Sequence, residues 1–352
     1  PASPSSGGSF DEPNDPNRGD VHYWEVWHGN KPFSEYRKYF FRYASEFGFQ
    51  SFPSVKTLET VTDDPKELNP FSYVMEKHQR NYGGNGKIAK YMQAAYRYPE
   101  NFSDFVYASQ LLQADGIRYG VEHYRRNRGR CMGAIYWQLN DCWPVISWSS
   151  IDYYGRWKAL HYYAKRFFAP VMLSCEEQSW MTVEADMNRQ HFEFEKSIRL
   201  NVTNETLDAH RVLVKWAVRK TDATILREEE QWLEVPALSA VWMDKVELPQ
   251  IDCFNEYVSY EAWENDQIIS QGTVIFSYPK YFHYLNPGLT VRVDGDEIVV
   301  KAEAYAKSVE IRNENDDLIL EDNYFDMNAG EYRVKILDGK PDGLKVRSVY
   351  DI

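Results

Sequence analysis

No stretch of this chain approaches the roughly 18 consecutive apolar residues of a membrane-spanning helix, so no span of that kind is expected. Cysteine is scarce. Cys131, Cys142, Cys175 and Cys253 form no CxxC pair and have no histidine pairs nearby, which argues against both a zinc site and a secreted disulfide framework. Cys131 and Cys142 flank opposite ends of one apolar run, too far apart for a bridge whose Cα atoms must lie within about 7 Å; reduced buried thiols are the expectation. Positive charge is in deficit: 40 Lys and Arg against 53 Asp and Glu leave a net charge of −13. That balance argues against nucleic acid or an anionic membrane as partner and suits a protein handling neutral ligands. No internal repeat stands out. Aromatic residues are plentiful at 16%, with 11 Trp and 26 Tyr, which fits both β-rich core packing and sugar contact.

Ser45-Glu46-Phe47-Gly48-Phe49-Gln50-Ser51 sets one carboxylate at the end of an apolar run. Phe40, Phe41, Tyr43 and Ala44 read as a buried strand, and Gly48 lets the backbone turn just after the acid. Glu46 then stands at a strand's C-terminal end, where barrel enzymes keep their catalytic groups, and suits a nucleophile or a base. A core-edge glutamate paired with an arginine gives the same pattern. Residues Cys131 to Val145 read as a second apolar strand, ending in Trp137, Gln138, Asn140, Asp141 and Trp143. Sugar rings need that mixture, because their C–H faces pack on aromatic rings while their hydroxyls demand hydrogen-bond partners. A core strand whose tryptophans fill volume is the alternative, and Trp143-Pro144 would halt it.

Residues 1–20, rich in Pro, Ser, Gly, Asn and Asp, read as a loop. His22 to Trp27 is the first strand candidate. Phe105, Ala108, Leu112, Tyr119 and His123 recur at near-helical spacing, as do Trp157, Leu160, Ala164 and Phe168. From about residue 173 the period changes to two: Ile198, Leu200 and Val202, then Val212, Val214, Trp216 and Val218, mark half-buried strands of an antiparallel β-sandwich. Leu289–Val293 and Glu297–Lys301 flank Asp294-Gly295-Asp296, a hairpin signal opening a third, smaller β unit. The expected division is 1–172, 173–280 and 281–352.

The Glu46 and Trp137 segments, with Ser147-Trp148-Ser149-Ser150-Ile151-Asp152-Tyr153-Tyr154-Gly155, Trp157 to Tyr162 and Ala169-Pro170-Val171, resemble the glycoside hydrolase family that contains β-galactosidase, β-glucuronidase and β-mannosidase, and most closely its β-mannosidase branch. The resemblance is carried by roughly residues 1–172. It implies α/β plus all-β architecture: the C-terminal portion of a (β/α)8 TIM barrel, followed by two immunoglobulin-like antiparallel β-sandwiches. Only three barrel strands are legible where closure needs eight, so the chain reads as a C-terminal fragment partnered by a missing N-terminal part of the same polypeptide.

By the same resemblance Glu46 is the nucleophile of a retaining β-mannosidase, and Trp137 belongs to the wall around the nonreducing mannose of a β-mannoside or manno-oligosaccharide. His22, Trp27 and His28, beside the first strand, and Asn140, Asp141 and Trp143, beside the second, complete the expected substrate-binding set; Asp141 suits a structural acceptor equally well. Arg42 and His22 are candidates to orient Glu46. Retaining glycosidases use two carboxyl groups about 5–5.5 Å apart, and in this family the acid/base follows an asparagine well before the nucleophile. No Asn-Glu pair precedes Glu46; Asn204-Glu205, Asn255-Glu256 and Asn313-Glu314 all lie in strand-rich sequence. The implied chemistry needs no cofactor. A different sugar within the family and a non-catalytic carbohydrate-binding sandwich remain as alternatives.

Overall fold

The computed structural model describes residues 14–183 and 193–352; most of the loop expected over residues 1–20 lies outside them. The chain divides into two compact units. One takes the residues up to Phe47 with Arg118–Ile135 and Arg166–His283, and the other takes Gly48–Ile117, Tyr136–Lys165 and Tyr284–Ile352.

In the first unit, β1 (Val21–His22), β2 (Ala44–Phe47) and β3 (Ala134–Tyr136) form a three-stranded sheet in that order. β1 and β2 are parallel, with His22 opposite Glu46. Among the described residues no closed barrel forms. The strands are shorter than the apolar runs suggested. Phe40 lies outside β2 and is 49% exposed. After His22 the chain turns instead of continuing to Trp27: the Trp24 carbonyl accepts from His28 N at 2.7 Å, and Val26 and Trp27 are fully buried from within that turn. Aromatic bulk mimicked strand periodicity here. Tyr23 sits 5.1 Å from both Tyr39 and Phe41, and Phe47 lies 5.5 Å edge-on to Tyr124, so ring packing, more than a hydrogen-bond ladder, holds the short sheet.

The first sandwich pairs β4 (Val171–Gln178), β5 (Ser197–Asn204) and β8 (Ser239–Trp242), with β9 (Val246–Glu247) also on β5. The facing sheet runs β11 (Gln267–Ile275), β10 (Glu256–Glu264), β6 (His210–Lys220), β7 (Ile225–Val235). Alternation places Ile198, Leu200 and Val202 of β5 against Val212, Val214, Trp216 and Val218 of β6 in one core. Each fully buried aliphatic contributes roughly 1.5–3 kcal/mol. β7 closes the sheet as an edge strand whose first eight residues are all exposed, Glu228, Glu229 and Glu230 among them. Arg37, just ahead of β2, binds β4: its Nη2 donates to Glu177 Oε2 at 2.7 Å and its Nη1 to the Glu177 carbonyl at 2.7 Å, while Tyr119 OH donates to the other carboxylate oxygen. Burial by itself would raise the Glu177 carboxyl, but Arg37 and the Tyr119 hydrogen bond hold it below its usual range.

The second unit carries short helices α1 (Val55–Leu58) and α2 (Tyr73–Lys77), then α3 (Gly84–Ala95). α4 (Phe102–Arg126) and α5 (Ala159–Phe167) each begin in this unit and end in the first. Phe105, Ala108 and Leu112 are buried as their spacing predicts, but Trp157 precedes α5 and Phe168 follows it, exposed. The second sandwich comprises β12 (Thr290–Asp294), β13 (Glu297–Ala302), β14 (Ala306–Arg312), β15 (Ile319–Leu320), β16 (Phe325–Met327), β17 (Gly330–Asp338) and β18 (Lys345–Arg347). Asp294 pairs with Glu297, so the hairpin turns on Gly295-Asp296, with Gly295 at φ +68°. This small sandwich leans on α4: Tyr107 OH donates to Ser308 O at 2.5 Å, and Arg347, paired with buried Glu310, reaches Asp104 at 2.9 Å.

Candidate active site

Glu46 is the third residue of β2, one side chain from the strand's end. Its backbone carbonyl accepts from Tyr23 N at 2.7 Å, which locks it to the chain leaving β1. The carboxylate is a quarter exposed. Trp24 Nε1 donates to Oε1 at 2.9 Å, and His22 Nδ1 stands 3.7 Å from Oε2, beyond hydrogen-bond reach. His28 is exposed, its ring 5.1 Å from that of Trp24. Glu46, Trp24 and His22 make one cluster, a carboxylate with Oε1 held by an indole and Oε2 faced by one imidazole, and His28 packs on the Trp24 ring. Trp27 does not join it. Fully buried, it fills the core and presents no face to a sugar. Arg42 is exposed, and its carbonyl accepts from Met132 N at 2.8 Å.

Trp137, Asn140, Asp141 and Trp143 belong to the other unit. The run expected as one apolar strand is a strand only over β3. Ile135, Trp137 and Leu139 are exposed beyond one-third, and the Trp137–Gln138 peptide is cis. Trp137, 45% exposed, is placed as a platform would be. Asp141 is not: it is buried and accepts from Ser147 Oγ at 2.6 Å and Ser149 Oγ at 2.5 Å, so its oxygens brace the loop. Lys158, buried nearby, donates to the Ser51 and Ser147 carbonyls at 3.3 and 3.5 Å. Burial lowers its ammonium to about 8 against the opposing pull of Asp141 and Asp152. Asn140 is exposed and shares a parallel bridge with Ile151. Trp143 lies 5.0 Å from the His78 ring, whose Nδ1 contacts the Pro144 carbonyl at 2.7 Å. Cys142 is exposed, unlike the buried Cys131, Cys175 and Cys253; all four are free thiols.

On the outer face of the first sandwich, Trp232, Leu213, Trp263 and Ile268 stand opposite one another across β7, β6, β10 and β11. This row of two tryptophans and two aliphatics has no counterpart in the sequence reading.

Two domain families match the chain: a mannosidase Ig/CBM-like domain over residues 196–281 and an Ig-fold domain over residues 284–352. β-Mannosidase B of Thermothelomyces thermophilus is 30% identical over 361 aligned residues, which cover 94% of this chain and 41% of that protein. The β-mannosidase of Capra hircus is 37% identical over 173 residues, 46% of this chain and 19% of that protein. Among solved structures, the β-D-mannosidase of Dictyoglomus thermophilum superposes with a TM-score of 0.83 at 27% identity, covering 97% of this chain and 41% of that one. The chain matches β-mannosidases at moderate identity. An exo-chitosanase of Amycolatopsis orientalis shares the fold over 90% of the chain, with a TM-score of 0.62 at 16% identity. The chain thus spans about two-fifths of the β-mannosidase relatives it matches most fully. Within this β-mannosidase-like chain, the residue that sequence reasoning missed beside Glu46 is Trp24. The available signal was strand period: Tyr23 faces the core, so His22 and Trp24 project to the other side.

Proposed function

We propose that this chain is the nucleophile-bearing portion of a retaining β-mannosidase, with Glu46 as nucleophile and the second carboxyl group contributed by the portion of the relatives that the chain does not cover. The observation that supports this most is the Glu46 carboxylate itself, part-exposed, with Oε1 fixed by an indole and Oε2 free of any hydrogen bond, His22 standing 3.7 Å away. One Glu46 oxygen attacks the anomeric carbon while the second carboxyl group protonates the departing glycosidic oxygen. A mannosyl ester on Glu46 results. The second group then takes a proton from water, whose oxygen attacks the anomeric carbon, breaks the ester and frees mannose with retained configuration. Every proton is accounted for by the two carboxyls and water, and no cofactor enters. Residues 1–172 form the catalytic part in this reading, with 173–280 and 281–352 as sandwiches.

A 2-deoxy-2-fluoro-β-mannosyl fluoride should add one sugar mass to the Glu46 peptide of the full-length protein carrying this chain, and nitrophenyl β-mannoside should be cleaved in preference to the galactoside and glucuronide. Label on a different carboxylate would end the reading. The chain alone should release no mannose at a useful rate. A second reading is favoured by the Trp232–Leu213–Trp263–Ile268 row: the sandwich binds glycan chains on that face. Mannan retention by the chain that survives the double substitution of Trp232 and Trp263 with Ala would exclude it.

A further inference from the structure

We infer that Trp24 is the positioning residue of the nucleophile: its indole N–H holds Glu46 Oε1 and fixes the orientation of the carboxylate, with Oε2 presented to the substrate. The inference rests on Glu46 being the nucleophile. Among the described residues, Trp24 is the one side chain within hydrogen-bond distance of that carboxylate, at 2.9 Å; His22 stands off at 3.7 Å. The donor is itself fixed. Tyr23 is locked into the aromatic core, the Glu46 carbonyl binds Tyr23 N, and the chain turns at once, with the Trp24 carbonyl accepting from His28 N at 2.7 Å and Gly29 N at 3.4 Å. Backbone on both sides of the indole is therefore constrained, and the indole has little freedom to leave its acceptor.

The chemistry of an indole suits the task. It donates one proton, accepts none and carries no charge, so it cannot take a proton from the nucleophile or form a competing ion pair. Because it occupies Oε1, the nucleophilic lone pair is confined to Oε2. Arginine in that place would bind both oxygens and blunt the attack; of the two arginines between Trp24 and Glu46, Arg37 is committed to Glu177 and Arg42 is exposed.

Trp24→Phe keeps the ring and removes the donor. In the full-length protein it should lower kcat by about 10- to 100-fold, the usual worth of a hydrogen bond to a charged group, with KM little changed. A merely packing role would instead lower the melting temperature and leave kcat in place. A second measurement needs no active variant. In the indole N–H spectrum of this chain, the resonance that Trp24→Phe removes should move upfield in Glu46→Gln, where an amide oxygen replaces the carboxylate acceptor. Fluorosugar label on Glu46 combined with an unmoved kcat in Trp24→Phe would overturn the inference alone. Label on a different carboxylate would overturn the Glu46 assignment and this inference with it, and an indole resonance unmoved by Glu46→Gln would overturn the contact itself.

Discussion

In the first sandwich β5 and β6 run 8 and 11 residues, whereas the strands beside Glu46 have 2, 4 and 3. The long strands set an apolar residue at every second position, Ile198, Leu200 and Val202 in β5 and Val212, Val214, Trp216 and Val218 in β6, so each inward residue adds the same kind of burial. The short strands lack the length to alternate. Rings around Tyr23 and Phe41, and the Arg37–Glu177 link to β4, hold them instead. Stability that rests on a few large contacts leaves strand ends open for polar side chains, and one of those ends carries Glu46. A regular sheet spreads its free energy evenly and has no such vacancy.

Replacing Glu46 with Ala gives the starkest test of that contrast. Turnover in the full-length protein should fall by about three powers of ten or more, each worth about 1.4 kcal/mol of barrier, while substrate binding and the melting temperature stay close to normal. Arg37→Ala should do the reverse. It strands the buried Glu177 charge, and denaturant titration should show a loss of roughly 3–5 kcal/mol. Ile198→Ala in the sandwich core should cost about 2–5 kcal/mol, against about 0.5 kcal/mol or less for Ile135→Ala on exposed β3. Equal costs would erase the distinction between the two regions.

His123 adds a pH axis. Burial, assisted by Arg126, lowers its imidazole from 6.5 to about 4, and its Nε2 lies 2.8 Å from the Tyr39 carbonyl. The unfolded chain protonates this histidine first, so the neutral form's contribution is intact above pH 6.5 and is lost as pH falls from there toward 4, by up to about 3 kcal/mol. His123→Phe should flatten that part of the stability profile. The smallest effect is expected at Gly295, whose left-handed backbone makes Gly295→Ala cost about 1 kcal/mol in thermal unfolding of the hairpin-bearing unit.

The regular parts were legible for the reason that they are regular. Val212 to Val218 repeat with one period and have one solution, and Asp294-Gly295-Asp296 allows one kind of turn. The stripe from Phe105 to His123 settled α4 in the same way. Phe40, Trp27 and the run ending at Val145 misled, because apolar residues buried from turns, or left exposed beside short strands, have the composition of a core strand without its geometry. Glu46 was legible as a carboxylate near a strand end. Trp24 was legible only in part: strand period sets it on the same side as His22, but its meeting with Glu46 depends on a parallel register between β1 and β2 that no local pattern encodes. Asp141 could be read either as a sugar ligand or as a brace, and only the positions of Ser147 and Ser149 separate the two.

β7 offers its neighbours an unpaired row of backbone donors and acceptors, the template on which chains add to one another as fibrils. Its consecutive Glu228, Glu229 and Glu230 make that template self-repelling: a second copy docking edge to edge would bring two acidic rows within a strand's spacing, about 4.8 Å. The protection is electrostatic, so it weakens as salt shortens the screening length or as acid neutralises the carboxylates. Concentrated stocks of this protein should therefore keep best at low ionic strength and above the sequence pI of about 5.2.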